Sequence, residues 1–133
     1  MTDDPGFVEF GIEDHIATIR FQRPSRKNAF TTAMYEQFRI ALQEAEADPN
    51  VRCTLLLGSN GAFSAGNDLH DFMGAPPTGG DSPVFKLIRT LSFTEKPLVA
   101  GVDGAAVGIG ATMLLHCDLV VASTRSKFAF PFV

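Results

Sequence analysis

Gly61-Ala-Phe-Ser-Ala-Gly-Asn-Asp-Leu69 is the stretch whose reading decides the fold. It follows Cys53-Thr-Leu-Leu-Leu-Gly58, an apolar run of strand length bounded by a turn signal, which reads as a buried strand. Leu69-His-Asp-Phe-Met73 has the composition to open a helix. Between the two, Gly61 and Gly66 make a tight loop. Glycine there leaves backbone N–H groups facing a crevice with no side chain in the way. A second stretch, Lys96 to Asp118 (KPLVAGVDGAAVGIGATMLLHCD), repeats the order of strand, glycine-rich turn and helix start. Placed on adjacent strands, two such turns aim two N–H groups at one point, the geometry an oxyanion hole requires.

Outward from these stretches the chain alternates strands and helices. Phe7 to Glu13 and Ile16 to Phe21 carry the alternation of two strands, joined at Glu13-Asp14-His15 as a hairpin. Gln22 to Ala29 reads as a loop. Thr31 or Thr32 caps a helix whose apolar positions Met34, Phe38, Ala41, Leu42 and Ala45 share one face, and Asp48-Pro49-Asn50 stops it. Val51 to Leu57 is the next strand, so strand, helix and strand form a parallel crossover unit. Gly74 to Asp81 has the composition of a flap. Ser82-Pro83 supplies an N-cap and first helical residue, followed by Val84, Leu87, Ile88 and Leu91 at helical spacing. Pro97 introduces the strand Leu98 to Val102, and a third unit ends at Leu119 to Ala122. The fold class is α/β, with residues 1–133 a single layered domain.

Composition narrows the functions. A chain of 133 residues is large enough for a real core. Its net charge of −4 argues against nucleic acid as a partner, because phosphate binding depends on clustered cations. Cys53 and Cys117 lie in apolar runs without ligand spacing and read as reduced core thiols of a cytoplasmic protein. His15, His70 and His116 are far apart, so no metal site is expected; His15 reads as turn surface and His116 as helix-end packing. His70, just past the loop, stands at the edge of any pocket there. The acidic start MTDDPGF has no apolar signal region, and Gly104 to Leu115 is too short to span a bilayer, so no membrane partner is expected. No GxSxG nucleophile elbow occurs. Gly108-Ile-Gly110 begins a dinucleotide fingerprint, but Met113 occupies the third glycine position. Phe63 and Phe72 read as core, with the lining of a ligand channel as the alternative.

FSAGNDL (63–69) and KPLVAGVDGAAVGIGATMLLHCDLVVAS (96–123), with RPSRKNAF (23–30) upstream and KFAFPF (127–132) downstream, resemble the crotonase (enoyl-CoA hydratase/isomerase) superfamily. The resemblance implies a ββα spiral of stacked strand–helix turns. It also implies an acyl-CoA thioester as substrate, with coenzyme A part of that substrate and no separate cofactor. The thioester enolate is then stabilised by the backbone N–H groups of Asn67 and Ile109. Arg26, Lys27 and Ala29 match the segment near the CoA nucleotide, where the two cations attract phosphates. Ala65, Gly66, Asn67, Asp68, Leu69, Gly108 and Ile109 match the surroundings of the thioester.

Simpler readings stand beside these. Gly66-Asn67 is also an ordinary turn pair, Asp68 is also an N-cap for a helix starting at Leu69, and the cluster Arg20, Arg23, Arg26 and Lys27 is also a solvated loop, the preferred reading for Arg20. At position 109 isoleucine keeps the N–H but sets a bulky side chain beside the pocket and restricts the backbone.

The family's members are longer, so the resemblance covers their N-terminal part. The apolar run Phe128 to Val133 reads as the interior of a truncated domain, and full-length members are trimers or hexamers. Hydratases of the family use two glutamates, at positions occupied here by Thr112 and Phe132, and neither residue exchanges a proton at neutral pH. FAFPF instead resembles the Δ3,Δ2-enoyl-CoA isomerase branch, which implies one catalytic glutamate, here beyond Val133. Isomerase-like chemistry is therefore the expected function. The alternatives are a non-catalytic acyl-CoA-binding or scaffold protein, and another crotonase chemistry such as hydration or thioester hydrolysis.

Overall fold

β1 (Phe7–Glu13) and β2 (Ile16–Gln22) pair antiparallel, from Phe7 opposite Gln22 to Glu13 opposite Ile16. The residues between them, Asp14 and His15, both have positive φ (52° and 66°). That is the backbone of a two-residue hairpin turn whose twist matches its strands. On β2 the alternation predicted from sequence is realised: Ala17, Ile19 and Phe21 are fully buried, while Thr18 and Arg20 face the other side. The computed structural model describes residues 4–68 and 82–131. Leu69, His70, Phe72, the flap at 74–81, Phe132 and Val133 lie outside the described residues.

β2 continues in parallel to β3 (Cys53–Leu57), β3 to β5 (Leu98–Val102), and β5 to β7 (Leu119–Ala122). The sheet order is thus β1-β2-β3-β5-β7. A second parallel sheet is built from β4 (Ala62–Ser64), β6 (Ala105–Val107) and β8 (Lys127–Ala129), in that order. Each of its strands directly follows a strand of the first sheet, giving the two-strand step of a ββα spiral. Here the structure corrects the sequence reading, which passes straight from Leu57 and Val102 into glycine turns and leaves Phe128 in an apolar tail. A short strand intervenes each time, and three residues are too few to show a period.

The helices cover this scaffold. α1 (Thr32–Ala47) begins at Thr31, whose Oγ1 accepts the Met34 N–H at 3.2 Å. Its buried face holds Met34, Phe38, Ala41, Leu42 and Ala45, as the spacing predicts, and also Tyr35. α2 (Pro83–Ser92) is capped by Ser82, whose Oγ accepts the Phe85 N–H at 3.4 Å, and it buries Leu87 and Leu91. α3 (Ile109–Thr112) is a single turn that tightens into a 3-10 turn over Met113–His116. The core centres on Phe21, whose ring lies 4.8 Å from Phe30, 5.1 Å from Phe38 and 5.3 Å from Phe63. Each such fully buried side chain contributes about 1.5–3 kcal/mol of apolar burial.

One expectation shifts. Cys53 and Cys117 are free thiols but only half-buried; on β3 the residues facing the core are Thr54 and Leu56, so Cys53 turns the other way. β7 and β8 leave Leu119, Val121 and Phe128 exposed. Among the described residues, no helix is long and apolar enough to cross a membrane.

Candidate active site

The segment after β2 folds back on itself through a 3-10 turn, Pro24–Arg26, followed by two residues with positive φ, Lys27 (50°) and Asn28 (59°). Two successive residues in that conformation are strained unless their surroundings hold them. Asn28 supplies the hold. Fully buried, it accepts the Arg23 N–H on Oδ1 (2.8 Å) and donates from Nδ2 to the carbonyls of Ala62 (2.9 Å) and Ser59 (3.1 Å). Arg23 is buried as well. Its Nε donates to Asp4 O (2.8 Å), and its Nη1 donates to Ala29 O (3.2 Å) and Asp68 Oδ2 (2.5 Å). The solvated-loop reading of the basic cluster therefore fails at Arg23, because a partner distant in sequence compensates its charge. Arg26 and Lys27 are exposed on the turn, and Arg20 lies on β2 near Glu9 (3.8 Å).

This folded-back segment runs alongside the loop after β4. Ala65 N donates to Lys27 O (3.0 Å), Phe30 N to Gly66 O (2.6 Å) and Asp68 N to Phe30 O (2.9 Å). Ser64 Oγ donates to Asn28 O (3.0 Å) and accepts the Gly66 N–H (3.1 Å). So of the four consecutive N–H groups from Ala65 to Asp68, three have partners. The fourth, on Asn67, has no acceptor among the described residues. The two segments that sequence assigned to the nucleotide and the thioester are thus one hydrogen-bonded unit.

The second loop leaves β6, the parallel neighbour of β4, where Ala62 lies opposite Ala105 and Ser64 opposite Ala106. Gly66 has φ +95°, and a Cβ there would stand 2.8 Å from Val107 O. The two loops are therefore in backbone contact, and only glycine permits it. Gly108 also has positive φ (61°), with its N–H donating to Ala129 O at 3.0 Å. Its carbonyl receives the N–H groups of Ala111 and Thr112, both at 2.9 Å. Ile109 opens α3, and first-turn N–H groups have no acceptor within their own helix. Its side chain is 6% exposed and belongs to the main core cluster. The expected crowding beside the pocket is thus replaced by packing into the interior, and Gly108 takes the unusual backbone angles.

Asn67 is half-buried, and its side-chain Oδ1 accepts a hydrogen bond from the Tyr35 hydroxyl. Burial pushes the Tyr35 phenol well above the usual tyrosine range. Sequence reasoning singled out neither Tyr35 nor Asn28; an asparagine after two basic residues was the one available signal for the latter. Asp68 is held by Arg23, and the helix it was expected to cap lies outside the described residues, as does Leu69. Ala29 is buried and Ala65 half-buried. His15 sits in the hairpin turn with Nδ1 2.8 Å from Asn50 O, and His116 ends the 3-10 turn. A separate cavity of about 230 Å³, lined by Arg20, Gly58, Ser59, Asn60 and Asp103 among others, contains none of the predicted site residues.

The site thus comprises two glycine-shaped loops on neighbouring parallel strands of an α/β spiral, each with a backbone donor that has no acceptor among the described residues. The chain belongs to the enoyl-CoA hydratase/isomerase family, whose profile matches residues 11–133. It is 34% identical over 134 residues to 1,2-epoxyphenylacetyl-CoA isomerase of Escherichia coli K12, covering 95% of this chain and 51% of that protein. It is 41% identical over 127 residues to enoyl-CoA delta isomerase 2 of Homo sapiens, covering 90% of this chain and 32% of that protein. The structure of Pseudomonas aeruginosa OdaA is similar at a TM-score of 0.90 and 43% identity, over 94% of this chain and 51% of that one. The chain therefore spans about half the length, or less, of the curated relatives it matches.

Proposed function

We propose that the protein receives the thioester carbonyl of an acyl-CoA between the N–H groups of Asn67 and Ile109 and stabilises the enolate formed when a proton leaves C2. The observation that carries this reading is the unmatched Asn67 N–H, the one donor of four in its loop without an acceptor among the described residues, on a loop touching Val107 and Gly108. Fixed donors aimed at a developing oxyanion act without reorganising, and one of them is worth about 10²–10³ in kcat.

The reaction this supports is the shift of a double bond from C3–C4 to C2–C3 of an enoyl-CoA. A base removes the C2 proton, and the electron pair delocalises through the thioester onto its oxygen, where the two N–H groups meet it. Return of the proton at C4 then leaves the bond conjugated. One base performs both transfers. Asp68 does not serve, because its carboxylate is paired with Arg23. Thr112, on α3, carries no group able to activate water at neutral pH, so hydration is disfavoured. Coenzyme A enters as part of the substrate, with the exposed Arg26 and Lys27 beside Ala29 as attractants for its phosphates.

A second reading, acyl-CoA binding without turnover, draws on the same engagement of Asp68. Incubation of the complete protein with a 3-enoyl-CoA distinguishes the two. Appearance of the conjugated 2-enoyl thioester absorbance supports isomerisation, tight binding without that absorbance supports the second reading, and absence of binding defeats both.

A further inference from the structure

We infer that Tyr35 is a positioning residue for the Asn67 N–H, acting through the asparagine side chain; the inference rests on the oxyanion reading above. Tyr35 lies in the first turns of α1 and is 5% exposed. Its hydroxyl donates to Asn67 Oδ1 across 32 positions of sequence. The ring is fixed in turn, meeting Phe30 edge-on with centroids 5.2 Å apart and planes at 88°. The backbone of Phe30 bonds both peptides flanking Asn67, donating to Gly66 O and accepting from Asp68 N.

Asn67 is therefore gripped at three points: the carbonyl before it, the N–H after it, and its own side chain. Phe30 and Tyr35, neighbours on one aromatic contact, supply all three. The Asn67 N–H shares a planar peptide with the Gly66 carbonyl, so the Phe30 bond limits its tilt, and the side-chain bond limits the swing of the Asn67 Cα that carries it. A half-buried amide has water available and does not need a protein partner to be satisfied, so the tyrosine bond serves to hold the Asn67 Cα and side chain in place. Because burial holds the phenol protonated well above the usual tyrosine range, the hydroxyl remains a donor throughout the physiological pH range.

Two substitutions separate this role from simple packing. Tyr35→Phe keeps the ring and removes the donor. Asn67→Ala removes the acceptor and keeps the N–H, at a residue whose φ is not positive. The readout is the infrared stretch of a 13C-labelled thioester carbonyl in an acyl-CoA bound to the complete protein, with kcat and KM alongside. The wild type is expected to lower the stretch, each variant to lose at least half of that shift, and kcat to fall about tenfold with KM little changed, as for a donor misaimed but not deleted. The double variant is expected to match the singles, since both break the same link. A wild-type shift that survives Tyr35→Phe intact, or a variant changed only in melting temperature, overturns the inference and leaves the oxyanion reading standing. No shift in the wild type overturns both.

Discussion

The guanidinium of Arg23 lies 2.5 Å from the carboxylate of Asp68, and both side chains are buried. This pair joins the residue after β2 to the donor loop, with Ala29 O bonded to the same Arg23 nitrogen. Removing one member leaves the other charge buried without its counter-ion, which costs about 3–5 kcal/mol. Arg23→Met is expected to lower the unfolding free energy by that amount in urea denaturation. A loss below about 1 kcal/mol, the worth of a surface pair, contradicts the structural role given to it.

Gly66 is the point of backbone contact between the two loops. Gly66→Ala adds a Cβ 2.8 Å from Val107 O at a φ of +95°, and strain of this kind costs about 1–3 kcal/mol. The loops are expected to separate, with acyl-CoA affinity reduced at least tenfold by calorimetry. Unchanged affinity indicates that their separation does not matter to binding.

Hydration of crotonyl-CoA is expected to be negligible. On the proposed reading, Thr112 takes the place of one hydratase acid/base group, and loss of such a group costs about 10²–10⁴-fold. Steady-state turnover near an ordinary enzyme rate of about 10 s⁻¹ contradicts the assignment of positions.

Cys117 is a pH probe of the region behind α3. Burial first, and the Asp118 charge second, push its thiol from 9.0 up to about 11. The folded state holds a proton that the unfolded chain releases, so the contribution to stability is present below pH 9.0 and is lost as pH rises through about 11. In a Cys53→Ser background, iodoacetamide at pH 9 should react roughly fifty times more slowly than with a small thiol, the ratio of thiolate fractions. Equal rates contradict the buried setting.

Features governed by local periodicity were legible in the sequence. The hairpin follows from alternation and Asp14-His15, and α1 follows from Thr31 and the spacing of Met34, Phe38 and Leu42. The two glycine loops were legible because glycine is required where backbones touch, as at Gly66, or where φ is positive, as at Gly108. The strands β4, β6 and β8 were not, since three residues carry no period and each is a strand only because a neighbour pairs with it. Arg23 reads as one more surface cation until Asp68, 45 residues on, is folded against it. Tyr35 was illegible for the same reason: helical spacing accounts for its ring, and its hydroxyl finds Asn67 only through tertiary structure. The roles of Arg26 and Lys27 rest on resemblance, as both side chains are exposed on their turn.

The proposed chemistry requires that Asn67 N–H and Ile109 N–H receive a thioester oxygen. The most direct measurement compares an acyl-CoA with its S-alkyl thioether analogue, which keeps the nucleotide, pantetheine and chain but lacks the carbonyl oxygen. Two net hydrogen bonds of about 1 kcal/mol each correspond to roughly thirtyfold in affinity. Calorimetric titration of the complete protein is expected to show the thioester binding tighter by about that factor. Equal affinity for the two compounds contradicts the account.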